Sequence, residues 1–509
     1  MISKKSPLLL LGQIINSLSG YIGLFFIIRF VGLQEWGFLS FSLAFIGIVS
    51  IFSDLGYGTA HLRSLSSNDG NEGIYNKAFL IIKLVQTFIT ISLILIALFL
   101  WVDILHHGFQ SILELYTIFL LLPYFFFSQM RIFPYIYFNS RMQTGKMVLP
   151  QIIEAVIRNS ALIFIGIMYL FKIPGYNLVS ATLLFAVIYS ISYALFFVSL
   201  YLLGRPWNIQ KIDKNTFKKT FKSYTKIAYP LALVTVLGTV SGNIDKVLIQ
   251  FFWAATATGA FASLQKITSP IITFSTAISA LFIPLLMRQA SKDEVNHDIS
   301  KYERIISLFI LPFVIIFIAL RVYIANFWSS YLIPYSEILI FLAMADYLIV
   351  INTPYSSGLV ARGLTRNIGK ITVISICINI FFDLLLIPSN IFGIRVFSLG
   401  VVGAAISTFI AFAVETALYR IDIIRTHGSS INYRIFIQII PAAIQFIYLY
   451  GITSYIKIYD IVSFVPVAVS SVVLFFIIAI LIKEITFRQL IEFIYSINPF
   501  KIREDIKNE

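Results

Sequence analysis

Ionisable side chains set inside long apolar stretches are where this sequence could do chemistry, and Lys266 leads them. It lies in the run Pro230 to Pro270, PLALVTVLGTVSGNIDKVLIQFFWAATATGAFASLQKITSP, which reads as two apolar helices joined by a small-residue turn at Ala254 to Thr258. Lys266 stands about nine residues into the second helix, and at ~1.5 Å of rise per residue that is near the middle of a ~30 Å hydrocarbon core. No acid lies within one turn of it on that helix. A cation at such depth is costly, so function is the default hypothesis. Two readings are open: contact with an anionic substrate, or one half of a buried salt bridge.

Other charged residues sort by spacing. Asp245 adjoins Lys246, but adjacent helix residues do not face each other, so one of them needs a partner elsewhere. Glu154 and Arg158 are four apart with the acid first, the arrangement that pairs on one helix face; a substrate role for Arg158 is the alternative. Arg29 and Arg321 sit near the ends of their helices, where long basic side chains reach toward the headgroups. Asn379 and Asp383, also four apart, share a face, and depth counting places them level with Asp245 and Thr408. Two carboxylates, an amide and a hydroxyl are a partial ligand set for a hard cation such as sodium. A proton site and a structural pair of Asp383 with Lys246 are the competing readings. Asp346 and Glu415 are further mid-span acids without an assignable partner.

The elements that must carry these residues follow from composition. The chain has 509 residues, 59% hydrophobic and only 12% charged, the make-up of a polytopic membrane protein. Its formal charge of +14 is explained by Lys and Arg concentrated in alternate connections, the pattern of cytoplasmic loops, which predicts both termini cytoplasmic and makes nucleic-acid binding unnecessary. A single cysteine, Cys377, excludes a disulfide framework. The five histidines have no metal-ligand spacing. Apolar stretches of ~20 residues predict about fourteen transmembrane helices, an all-α fold. The longest polar connection, GRPWNIQKIDKNTFKKTFKSYTK, interleaves Phe217, Phe221 and Tyr224 with Lys218, Lys219, Lys222 and Lys226. It reads as a helix lying on the cytoplasmic leaflet, or as a solvated linker.

The two halves echo each other: NSRMQTGKMVLPQ after the fourth span and VARGLTRNIGKIT after the tenth, GFLSFS opening the second helix and GAFASL the eighth. An internal repeat is expected, with an N-terminal lobe at 1–204, a linker at 205–227, a C-terminal lobe at 228–427, and two added helices with a tail at 428–509.

The stretch LTRNIGKITVISICINIFFDLLLIPSNIFGIRVFSLGVVGAAISTFIAF, with its LLLIP end and GAAIST run, resembles the eleventh and twelfth helices of the MOP transporter superfamily. FVGLQEWGFLSFS and DLGYGTAHLRS resemble its polysaccharide-transporter branch, the Wzx-type flippases of lipid-linked oligosaccharides, which are related to the fourteen-helix lipid II flippases. The likeness runs in order over residues 5 to 430. It implies a flippase moving an oligosaccharide on a polyprenyl diphosphate carrier to the outer leaflet of the plasma membrane by alternating access, for surface polysaccharide such as O-antigen. It implies partners among the glycosyltransferases or polymerase of that pathway. It gives Lys266, a turn before Pro270, the place of a basic residue that meets the substrate diphosphate, and makes Arg29 a cavity residue on the first helix. It likens Asp245, Asn379, Asp383 and Thr408 to a sodium site. No cofactor is expected beyond such an ion. Gly400 and Gly403, before and at the start of the GAAIST run, read as close helix packing. Without a P-loop, ATP is not the expected energy source. The alternatives are a cation-coupled drug extruder of the same superfamily and a membrane-embedded glycosyltransferase or polymerase, the latter disfavoured by short outer connections; a non-transporting membrane scaffold would not need mid-membrane charge.

Overall fold

A computed structural model describes residues 6–67, 70–104, 109, 111–175, 180–204, 207–273, 292–361, 364–391, 393–427, 433–456 and 460–487. Among these the chain is almost wholly helical, as expected of backbone that must satisfy its own hydrogen bonds in lipid. The helices are α1 (Ser6–Phe26), α2 (Leu33–Val49), α3 (Tyr57–Ser66), α4 (Glu72–Phe99), α5 (Ile112–Met130), α6 (Ile132–Ser140), α7 (Thr144–Leu170), α8 (Ala181–Leu203), α9 (Lys214–Phe252), α10 (Ala255–Thr268), α11 (Lys292–Ala319), α12 (Arg321–Trp328), α13 (Ile338–Ala361), α14 (Thr365–Leu386), α15 (Gly400–His427), α16 (Ile439–Tyr455) and α17 (Ile461–Leu481). A two-residue hairpin, Asn390–Ile391 with Ile394–Arg395, links α14 to α15.

Twelve helices among the described residues are long and apolar enough to cross a membrane. The seventh expected span lies within α9. Of the eighth, residues 274–287 lie outside the described residues, as does the tail from 488.

Two compact units divide the chain. One holds Lys5–Ser263 with Ile380–Ala404, the other Leu264–Asn379 with Ala405–Glu509. The first has its core among α2, α4, α5, α7 and α8, around Phe41, Phe45, Ile118 and Phe185. The second packs α11 on α13, around Ile306, Ile310 and Ala343, and carries α16 and α17 against α11 through Leu308, Ala442 and Phe475. Gln445 of α16 donates to the Pro312 carbonyl at 3.1 Å and to Ser471 of α17 at 3.2 Å, fastening that pair to the rest of its unit.

The basic connection differs from its expected form. Instead of a separate amphipathic segment on lipid, it begins at Asp213, whose carboxylate accepts from the backbone N–H groups of Asn215 and Thr216 and starts α9. The helix then runs without a break into the seventh span. Its aromatic side packs on protein: Tyr224 is fully buried with its hydroxyl 2.9 Å from His61 Nδ1, and Tyr57 bonds Thr225 at 3.0 Å and stacks on Phe221. Upstream, Trp207 lies against Phe133, Tyr137 and Tyr201. Gln210 donates to the Gly73 carbonyl at 3.2 Å, and the Asn208 carbonyl accepts from Asn76 at 2.9 Å. A side chain at Gly73 would collide with Gln210 and Asn208, so the close approach needs glycine there. The connection is thus a strap bound to α3, α4 and α6.

Candidate functional site

Helix α9 ends at Phe252 and α10 begins at Ala255, so the turn is Trp253–Ala254, tighter than the expected Ala254 to Thr258. Lys266 lies in the last turn of α10 and is exposed, while its neighbours Ile267 and Thr268 are buried. Asp346 on α13 is buried and is reached by Thr268 of the same unit. Arg29, in the π turn that closes the first helix, is also exposed and lies 5.3 Å from the Phe25 ring.

Arg158 makes the ion pair that its spacing from Glu154 predicts. Its Nε meets Glu154 at 2.6 Å on the same face of α7, and the guanidinium lies 5.1 Å from the Tyr189 ring. Pairing removes most of the cost of charge in lipid, as the structural reading of this arginine expects.

Of the proposed cation ligands, Asp383 and Asp245 are buried in the first unit. In the second, Asn379 donates to Ser407 Oγ at 2.8 Å, and that hydroxyl donates back to the Asn379 carbonyl at 2.9 Å. Ser407, beside the expected Thr408, thus takes the asparagine amide. Ser375 repeats the motif one turn away by donating to Ala411 at 3.0 Å. Among the described residues no group of three His, Cys, Asp or Glu side chains could hold a metal.

A second set of polar residues, absent from the sequence reading, closes the end of the first unit opposite its basic connections. Gly37 of α2 and Gly259 of α10 let two helices touch backbone to backbone. A Cβ on Gly37 would stand 1.8 Å from the Ala255 carbonyl oxygen, and one on Gly259 would stand 2.0 Å from that of Leu33. Beside this crossing, buried Gln250 of α9 donates to Glu114 of α5 at 2.9 Å and accepts from Thr258 of α10 at 2.9 Å. Glu35 at the start of α2 accepts from Ser180 and from the Thr182 backbone, each at 3.1 Å, satisfying an open N–H at the start of α8. Trp253 donates to the Ile387 carbonyl at 2.9 Å and packs on Gly400, whose φ of 56° suits glycine. At the other end of α2, Lys83 of α4 is buried and donates to the Ser53 carbonyl at 2.6 Å, a cation at a helix C-terminus. A polar residue early in an apolar run was the available signal for Glu114 and Gln250, but their partners lie 136 positions apart.

The fold defines a polytopic, all-helical membrane protein. Its backbone matches the lipid II flippase MurJ in an inward closed conformation, with a TM-score of 0.74 at 16% identity over 94% of this chain and 99% of that one. An inward-facing multidrug resistance MATE transporter of the MOP superfamily matches with a TM-score of 0.59 at 14% identity, over 82% and 96%. Residues 2–290 match the model of the polysaccharide biosynthesis protein family, and the chain belongs to that family. A curated relative, the probable low-salt glycan biosynthesis flippase Agl15 of Haloferax volcanii, is 23% identical over 432 residues, 82% of each chain.

Proposed function

We propose that this protein is a flippase that carries a lipid-linked oligosaccharide, on a polyprenyl diphosphate, from the cytoplasmic to the outer leaflet. The observation that carries the reading is Lys266: an exposed cation in the last turn of α10, within an apolar stretch of a chain that belongs to a polysaccharide biosynthesis family and whose backbone matches a lipid flippase. The task is to move an anionic, polar headgroup through ~30 Å of hydrocarbon while the lipid tail stays in the bilayer. Lys266 offers its ammonium to the diphosphate, and Arg29 is a second exposed cation for the same headgroup. The basic connections face the cytoplasm, with both termini, and the protein resides in the plasma membrane. With that orientation, the Gly37–Gly259 crossing and the Glu114–Gln250–Thr258 hydrogen bonds close the outer side, and transport requires them to part. The work is transport, with no bond made or broken by this chain; glycosyltransferases supply the substrate.

The test is substitution at Lys266, read by translocation and by thermal stability together. Lys266→Arg retains part of the activity, because it keeps the charge with altered geometry. Lys266→Ala and Lys266→Gln lose most of it at wild-type stability. If Lys266→Ala is strongly destabilised and Asp346→Asn restores both stability and transport, Lys266 is half of a salt bridge and the assignment fails. Energy from a cation gradient through Asp245, Asn379, Asp383 and Thr408 is part of the proposal. Asp383→Asn then changes the sodium or pH dependence of transport in a protein that still inserts, and unchanged dependence would assign these residues to structure.

A further inference from the structure

Asp346 is an acid inside the second unit that makes none of the ion pairs found among the described residues. It stands ~12 Å into α13, a helix of 24 residues, and so lies within the hydrocarbon span. The residue is only 8% exposed. Thr268, fully buried at the end of α10, reaches its carboxyl, while Oδ2 is buried without a hydrogen-bond partner among the described residues. Ala343 and Val350, three before and four after it on the same helix face, pack with Ile271, Ile306, Ile310 and Val314 in an apolar cluster.

The other ionisable groups on these helices are turned or tied elsewhere. Tyr347 bonds Ser307 of α11 at 2.7 Å. Glu303 and Arg304 of α11 take Arg420 and Glu484, and Glu415 of α15 is reached by Ser375 and Tyr419. Lys266 lies two residues before Thr268, ~160° around α10 from it. A carboxylate in such a place costs far more than a neutral acid, because no cation and no full set of donors compensates it. A proton meets that need where a metal ion does not: one carboxyl and one hydroxyl fall well short of the about six oxygens that a hard cation takes. The chain passes from the first compact unit to the second within α10, between Ser263 and Leu264. A rearrangement of the units therefore acts on the turn that carries Thr268.

We propose that Asp346 is a proton-binding site, neutral while Thr268 covers it and ionised when α10 withdraws, so that a proton is taken up and released in each transport cycle. Protonation forms the Oδ2–H bond, and release hands that proton to water. The site stands on the geometry of the second unit; its use in transport rests on the flippase reading above.

Infrared difference spectroscopy of the full-length protein in lipid nanodiscs tests the site, reading the C=O stretch of protonated carboxyl groups from about pH 5 to about pH 9, the range that buried acids reach. The wild type shows a band that Asp346→Asn lacks and that Asp346→Glu shifts, and above its midpoint the band falls about tenfold per pH unit, as one proton requires. Replacing potassium by sodium leaves it unchanged. No band lost in Asp346→Asn means a carboxylate ionised throughout, a band of constant height means a permanently held proton, and a band that sodium removes at fixed pH means a cation site; each overturns the proposal. In proteoliposomes, Asp346→Asn, with an unchanged thermal transition, translocates a lipid-linked oligosaccharide at a rate that no longer varies with pH, whereas Asp346→Glu keeps the variation. Wild-type pH dependence in Asp346→Asn would separate the proton from transport and overturn the proposal as well. Failure of the flippase reading would show instead as absent translocation by the wild type with the infrared titration intact.

Discussion

The two compact units hold their ends together by different chemistry. In the first, the end opposite the basic connections is closed by glycine backbones in contact and by a short hydrogen-bonded chain, Glu114 to Gln250 to Thr258, without an ion pair among its members. In the second, the basic ends of α11 and α15 are clamped by charge. Glu303 takes Arg420 and the Tyr355 hydroxyl, the latter at 2.5 Å. Arg304 meets Glu484 at 2.6 Å, and Gln438, Ser307 and Tyr347 extend that network. Hydrogen bonds contribute about 1 kcal/mol each, or about 1.5–3 kcal/mol where one partner is a carboxylate such as Glu114, whereas a buried charge stripped of its ion-pair partner costs about 3–5 kcal/mol. A junction of the first kind can part and re-form during a cycle. One of the second kind stays shut.

The largest effect should therefore come from breaking the charged clamp. Arg420→Ala leaves Glu303, which is only 2% exposed, with a charge and no guanidinium, and should destabilise by about 3–5 kcal/mol. Thermal unfolding in detergent measures the loss, and Glu303→Gln added to it should recover much of it. A loss no larger than that of a surface substitution would remove the contrast.

Crowding the glycine crossing should cost less stability and more function. Gly259→Ala drives a methyl into the Leu33 carbonyl, with an overpacking cost of about 1–3 kcal/mol. In a Cys377→Ser background, a cysteine placed at Thr258 should label faster from outside in this variant, and transport should fall. Unchanged labelling would show that the crossing yields without opening.

The strap should respond to acid most gently. His61 on α3 is buried against Phe79 and Tyr224, and burial pushes its pKa down to about 3. An unfolded or undocked histidine titrates near 6.5. Between those values the undocked state binds more protons, so docking is fully stable above about pH 6.5 and weakens as pH falls toward 3. Hydrogen exchange of residues 214–226 should quicken on acidification in the wild type, and His61→Phe should flatten that dependence. If both proteins respond alike, another group controls the strap.

These contrasts also mark what the sequence could reveal. Long apolar runs disclosed the spans, because ~20 apolar residues have few other uses. The Glu154–Arg158 pair was legible because both partners sit on one helix. The continuity of α9 was not, since Pro230 and the lysine-rich stretch before it imitate a helix boundary. Nor was the strap's docking, which joins His61 to Tyr224 across 163 positions. Ser407, which engages Asn379, was hidden behind its neighbour Thr408 for a similar reason: helix pairs meet by packing angle, and one residue of rotation changes the partner.

Transport itself is the most direct test of the account. In proteoliposomes without nucleotide, a polyprenyl diphosphate carrying a fluorescent oligosaccharide should move its headgroup across the bilayer faster than in protein-free vesicles, while ethidium should stay where it was loaded. Headgroup movement at the protein-free rate, or uptake of ethidium in its place, would contradict the flippase and favour a drug extruder.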